Sequence, residues 1–147
     1  MKKFFYLVFF SYKLENGLQD QFDLGVFTSK SNAKKKIEMC LDLPGFKDFS
    51  KDNFTITKFA VSFEHAIQDK SKVNLYSVCH EYEDEKESDC YCWEIFGYFS
   101  TKREARKKID FLKEHSRIGK KYPNNFEIVK ELIDNYKLWS FGFSYDK

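Results

Sequence analysis

Glycine and proline are scarce, with six Gly and two Pro in 147 residues. That scarcity excludes collagen-like, low-complexity and linker-dominated chains, whose composition leans on those two residues. Long apolar runs are missing as well. The longest, Phe4 to Phe10, falls far short of the roughly 20 apolar residues that span a bilayer, so no membrane partner is expected. It also passes into Ser11-Tyr12-Lys13-Leu14-Glu15 without a small-residue cleavage pattern, which argues against a signal peptide. No excess of charge of one sign exists: 25 basic side chains face 23 acidic ones, and no global field directs the chain to nucleic acid or membrane. The four cysteines come without other signs of secretion, and reduced thiols in the cytoplasm are the expectation.

What is present is aromatic. Phe, Trp and Tyr make up 19% of the chain, and 17 of them are Phe. A chain of this length buries about two-thirds of its unfolded surface, enough for a core without disulfide or metal. The residues also repeat. Gly25-Val26-Phe27-Thr28-Ser29 aligns with Gly97-Tyr98-Phe99-Ser100-Thr101, and the match runs on through Ala33 and Ala105, Ile37 and Ile109, Phe54 and Phe126, and Ile56 and Ile128, each pair 72 positions apart. Upstream, Tyr6, Val8 and Tyr12 match Tyr76, Val78 and Tyr82 at a spacing of 70, which places a two-residue insertion in the second copy's first loop.

Within each copy the periodicity changes from two to 3.6. Tyr6, Val8, Phe10 and Tyr12, like Tyr76, Val78, His80 and Tyr82, alternate as a strand requires. Ser29 and Thr101 stand at N-cap positions, and Thr101-Lys102-Arg103-Glu104 reads as a capping box. Ala33, Ile37, Cys40 and Leu41, and likewise Ala105, Ile109 and Leu112, form helical apolar stripes. Leu43-Pro44-Gly45-Phe46 stops the first helix, and third strands follow at Phe54 to Val61 and Phe126 to Ile133. The expected fold is α+β, a tandem duplication of a β-β-α-β unit. Residues 1–66 form the first unit and residues 67–147 the second, joined in one globular domain. An antiparallel sheet carries both helices on one face about a pseudo-twofold. Leu138-Trp139-Ser140-Phe141-Gly142-Phe143 is expected to add a seventh strand.

The first copy resembles a small bacterial domain family of unknown function. Its members read as a tyrosine-bearing strand, then G-V-F-S-S-x-x-x-A, a helix, L-P-G-F and F-x-I. Gly25 to Ser29, Ala33, Leu43 to Phe46, and Phe54-Thr55-Ile56 carry the likeness over most of residues 4–61. The second copy keeps the Gly and the Ala and lacks Leu-Pro-Gly-Phe. The resemblance implies a fold and no activity.

No catalytic signature stands out, and the chain is read as a non-enzyme. Cys79, His80, Cys90 and Cys92 are residue types that bind zinc, but Cys90-x-Cys92 on a strand lacks the tight turn of a zinc knuckle. Adjacent Cys79 and His80 point to opposite faces of a strand and form no nucleophile pair. Neither metal nor cofactor is expected. The acidic loop around Glu83, Asp84, Glu85, Glu87 and Asp89 reads as a solvated hairpin tip or as a contact for a basic protein. Lys35 and Lys36 on the first helix and Arg103, Lys107 and Lys108 on the second read as soluble faces or as paired phosphate contacts for nucleic acid. Phe5, Leu7 and Phe9 make the first strand apolar on both faces, so the face away from its helix must meet the second repeat, another copy of the chain or a partner. The leading expectation is a protein-binding module with the acidic loop and Trp139 as contacts. It acts as an immunity protein or inhibitor that occludes a basic toxin or nuclease, and nucleic-acid binding through the basic helices is the alternative.

Overall fold

A computed structural model describes residues 1–13, 15, 17, 19–83 and 91–145, with residue 91 described by its backbone alone. The chain is α+β, with two three-stranded antiparallel sheets. The first comprises β1 (Lys2–Lys13), β2 (Gln19–Phe27) and β3 (Phe54–Ser62), in the order β2-β1-β3. The second comprises β4 (Leu75–Glu83), β5 (Tyr91–Phe99) and β6 (Phe126–Glu131), in the order β5-β4-β6. Helix α1 (Lys30–Cys40) lies between β2 and β3, and α2 (Lys102–His115) with the short α3 (Arg117–Lys121) lies between β5 and β6.

Both expected caps form. Ser29 Oγ accepts from Asn32 N at 3.0 Å and Thr101 Oγ1 from Glu104 N at 3.1 Å, each satisfying a backbone donor that the first helical turn leaves open. Ile37 and Ile109 are both buried under their helices. Each sheet also carries a bulge at one place in its central pairing, between Val8 and Phe9 opposite Gly25 and between Ser77 and Cys79 opposite the Ile95–Tyr98 stretch.

Three apolar layers result, because alternate residues of the central strands serve opposite faces. Val8, Phe10 and Tyr12 pack with Leu24, Ala33, Ile37 and Phe46 beneath α1. Val78 packs with Ala105, Ile109 and Leu112 beneath α2. Between the sheets, Phe5, Leu7, Val26 and Val61 meet Leu75, with Tyr98 and Ile133 against them. The second face of β1 is thus covered within the chain, by the other sheet. The expected single sheet with both helices on one face is corrected: there are two sheets, and each helix lies on the outer side of its own. Burying two apolar faces against one another removes more surface from water than leaving either exposed. Among the described residues, no helix is long and apolar enough to cross a membrane.

Candidate functional site

The segment after β6 crosses back to the first sheet, and no strand forms there among the described residues. Ile133 makes one isolated parallel bridge to Val26, and Asp134, in the left-handed region at φ 54°, reaches the start of α1. Its Oδ1 accepts from Thr28 N at 2.9 Å and its Oδ2 from Thr28 Oγ1 at 2.8 Å. A carboxylate there also suits the positive end of the helix dipole.

Lys36 holds the next stretch. Its residue is only 1% exposed, and its ammonium donates to the carbonyls of Tyr136 (3.0 Å) and Leu138 (2.5 Å). Burial pulls its pKa below the usual lysine range, with a smaller opposite effect from the neighbouring Cys40 thiol. The exposed, phosphate-facing position expected for Lys36 is therefore corrected. It falls between Ala33 and Cys40 on the buried stripe of α1, a register that the sequence already showed. Replacing Lys36 with Met keeps the stem and orphans both carbonyls; the expected loss is about 2 kcal/mol in chemical denaturation. An unchanged midpoint would mean that water satisfies them.

Beyond Lys36 the chain turns sharply. Gly142 N donates to Trp139 O at 3.0 Å, and Phe143 N to Pro44 O at 2.9 Å. The two backbones touch at a pair of glycines. A Cβ on Gly45 (φ 83°) would lie 2.4 Å from Phe143 O, and one on Gly142 (φ 78°) 2.2 Å from Pro44 O. Leu-Pro-Gly-Phe is thus both a helix stop and the seat of this tail. Phe143 enters the aromatic layer, its ring centroid 4.8 Å from Phe46 and 4.7 Å from Phe22. The seventh strand expected over Leu138 to Phe143 is corrected to a turn, because Trp139 (φ 56°) and Gly142 both leave the extended region.

Trp139 stacks on Phe22, ring centroids 4.3 Å apart and 19° from parallel, yet remains 39% exposed. Phe141 at the tip is 92% exposed, with exposed Leu138 on the same turn. Sequence reading placed Trp139 and Phe141 in one aromatic row on the expected strand and named Trp139 alone among the contact residues. Left-handed backbone at a tryptophan costs about 1–3 kcal/mol and persists only where the surroundings impose it.

The other expected contacts lie elsewhere. Glu83 ends β4, exposed and opposite Tyr91. Asp84, Glu85, Glu87, Asp89 and Cys90 lie outside the described residues. Lys35 sits over the Tyr136 ring, 5.3 Å from its centroid. Arg103, Lys107 and Lys108 are on α2, where Lys107 meets Glu104 at 3.4 Å and Lys108 lies 5.4 Å from the Phe111 centroid. Cys79 and His80 do face opposite ways: Cys79 lies beside Ser77, and buried His80 meets Tyr122 O at 3.0 Å through Nε2. Among the described residues no cluster of His, Cys, Asp and Glu is arranged for a metal ion.

A second polar feature interrupts the layer between the sheets. Ser77 Oγ donates to Glu131 Oε1 at 2.6 Å, and Asp23 Oδ1 accepts from Gly25 N at 2.9 Å. Burial pushes both carboxyls up; their hydrogen bonds pull each partly back, and Asp23 raises Glu131 further. Burial likewise pushes the Tyr98 phenol and the Cys79 thiol up. The Tyr98 hydroxyl is buried with no hydrogen-bond partner among the described residues, its ring stacked on Phe59 at 4.2 Å.

The fold and turn define a small α+β scaffold that presents an aromatic projection and no recognisable catalytic constellation among its described residues. No family model matches the chain, and neither curated proteins nor solved structures provide a match.

Proposed function

We propose that the chain is a non-enzymatic protein-binding module whose central contact is the turn carrying Leu138, Trp139 and Phe141. The observation that supports it most is Phe141, an almost wholly exposed aromatic on a turn pinned from two sides by Lys36 and by the paired glycines. An exposed phenylalanine gains nothing from water, and a rigid one loses little entropy on docking, which is the profile of an interface anchor. The partner offers an apolar pocket, and the acidic residues beginning at Glu83 favour a basic surface around it. Occlusion of a basic toxin or nuclease, as by an immunity protein or inhibitor, is one form of such binding.

The nucleic-acid alternative needs the two basic helices on one surface. They lie on the outer sides of different sheets, with Lys36 buried, so they do not form one track. We further propose that the halves are copies of one β-β-α-β unit about a pseudo-twofold, supported by the shared bulge, the shared caps and the matched Ile37 and Ile109.

Affinity capture from native lysate, with wild type beside variants, tests the binding reading. A species retained by wild type is expected to be lost with Phe141→Ala, about 30-fold weaker for an anchor worth 2 kcal/mol, and kept with Lys107→Glu and Lys108→Glu. The reverse pattern would instead support the nucleic-acid reading.

A further inference from the structure

A concave surface of about 750 Å³ opens at the end of the first sheet, between the start of β1, the residues entering α1 and the linker at 67–71. Lys2, Lys3 and Lys70 line it with Phe4, Tyr6 and one acidic residue, Asp69. Lys58 stands at its edge, its ammonium 4.2 Å from the centroid of the Phe4 ring. Lys70 leans across from the linker and donates to the carbonyls of Phe4 (2.8 Å) and Thr28 (2.6 Å). These four lysines come from three separate stretches of chain, and two of them, Lys3 and Lys58, are close enough to act on Lys70. Burial lowers the Lys70 pKa, and the nearby charges of Lys3 and Lys58 lower it further, against a partial offset from Asp134.

No carboxylate among the described residues lies within 4.0 Å of any of the four. Asp134 spends its oxygens on Thr28 and Asn32, and Asp69 on Ser71 with Lys72 at 4.0 Å. Like charges gathered around a concavity repel, and the arrangement is relieved by a ligand that brings negative charge. The volume falls within the range of small-molecule sites, and Phe4, 46% exposed beside the cations, offers a ring face for stacking.

We propose that this concavity binds a phosphate ester of nucleotide size, with Lys2, Lys3 and Lys58 on the phosphates and Phe4 against the base. Lys70 shapes the site by tying the linker to β1 and to the end of β2. The surface is separate from the aromatic turn, so Phe141→Ala leaves it intact and either reading fails without the other.

Calorimetric titration of the full chain at low ionic strength tests it, with inorganic triphosphate, ATP and a short single-stranded oligouridylate as probes. Binding is expected to weaken with added salt, as phosphate contacts dictate. The paired variant Lys3→Gln and Lys58→Gln should weaken it about tenfold or more. Lys107→Gln with Lys108→Gln serves as the control and should change nothing. Lys58 is exposed and Lys3 half-buried, and an unchanged melting curve shows that the fold persists. ATP binding more tightly than the oligonucleotide identifies the source as a free nucleotide, and the opposite order identifies a strand. No detectable binding of any probe at millimolar concentration, or equal affinity in the paired variant, overturns the proposal.

Discussion

Gly45→Ala is expected to lower stability by about 3 kcal/mol, roughly 6–12 °C in melting temperature for a chain of this size. Two causes combine. The backbone sits at φ 83°, where an alanine is strained, and the added carbon would fall 2.4 Å from the Phe143 carbonyl oxygen and 2.6 Å from its ring. Relief requires the tail to lift, which withdraws Phe143 from the aromatic layer and opens a void beside Phe10 and Phe46. Gly17→Ala separates the causes: φ is 84° there, but nothing lies within 4 Å, so that variant carries the backbone strain alone, about 1 kcal/mol. Equal effects of the two substitutions in thermal melts would show that the tail contributes nothing at Pro44-Gly45.

The second large effect is a dependence on pH. Asp23 and Glu131 have carboxyl pKa values raised by burial, so the folded chain holds protons that the unfolded chain has released. Stability from these groups is complete below the unfolded carboxylate pKa, about 4, and is lost as pH rises through the folded values. The groups facing them are Ser77 and Cys79 on β4 and Tyr98 on β5, which supply no positive charge. The Asp23 charge raises Glu131 further, so both are replaced together. Asp23→Asn with Glu131→Gln should therefore stabilise the chain by about 1–3 kcal/mol at alkaline pH and flatten the decline in stability as pH rises above the unfolded carboxylate value. Denaturant midpoints across that range decide it. A wild type that grows more stable with rising pH, or a double variant that keeps the wild-type slope, would rule out this role for the pair.

Local structure was legible in the residues because it is written at short range. Alternation in Tyr6 to Tyr12 gave a strand, Ser29 and Thr101 gave caps, and Ile37 and Ile109 gave the buried sides of two helices. Periodicity says which residues share a face but not what that face meets. The two apolar faces of β1 therefore left open whether the second sheet, a second copy or a partner lay opposite, and the second sheet does. Lys36 misled because a lysine on a helix is usually solvated, and its receptors are carbonyls a hundred residues away. Trp139, Phe141 and Phe143 alternate like a strand, but the turn depends on Gly142 meeting Pro44, a contact that no local pattern encodes. The carboxyl pair escaped notice for the same reason: Asp23 and Glu131 are ordinary singly and become unusual only once the sheets meet.

The crossing of the tail from the second half to the first bears on how the chain is made. A ribosome delivers residues in order, and the aromatic layer under α1 stays unsealed until Tyr136, Phe143 and Tyr145 have emerged to close it. The half synthesised first is thus the half completed last, and during the interval its phenylalanines are open to chaperones and to neighbouring nascent chains.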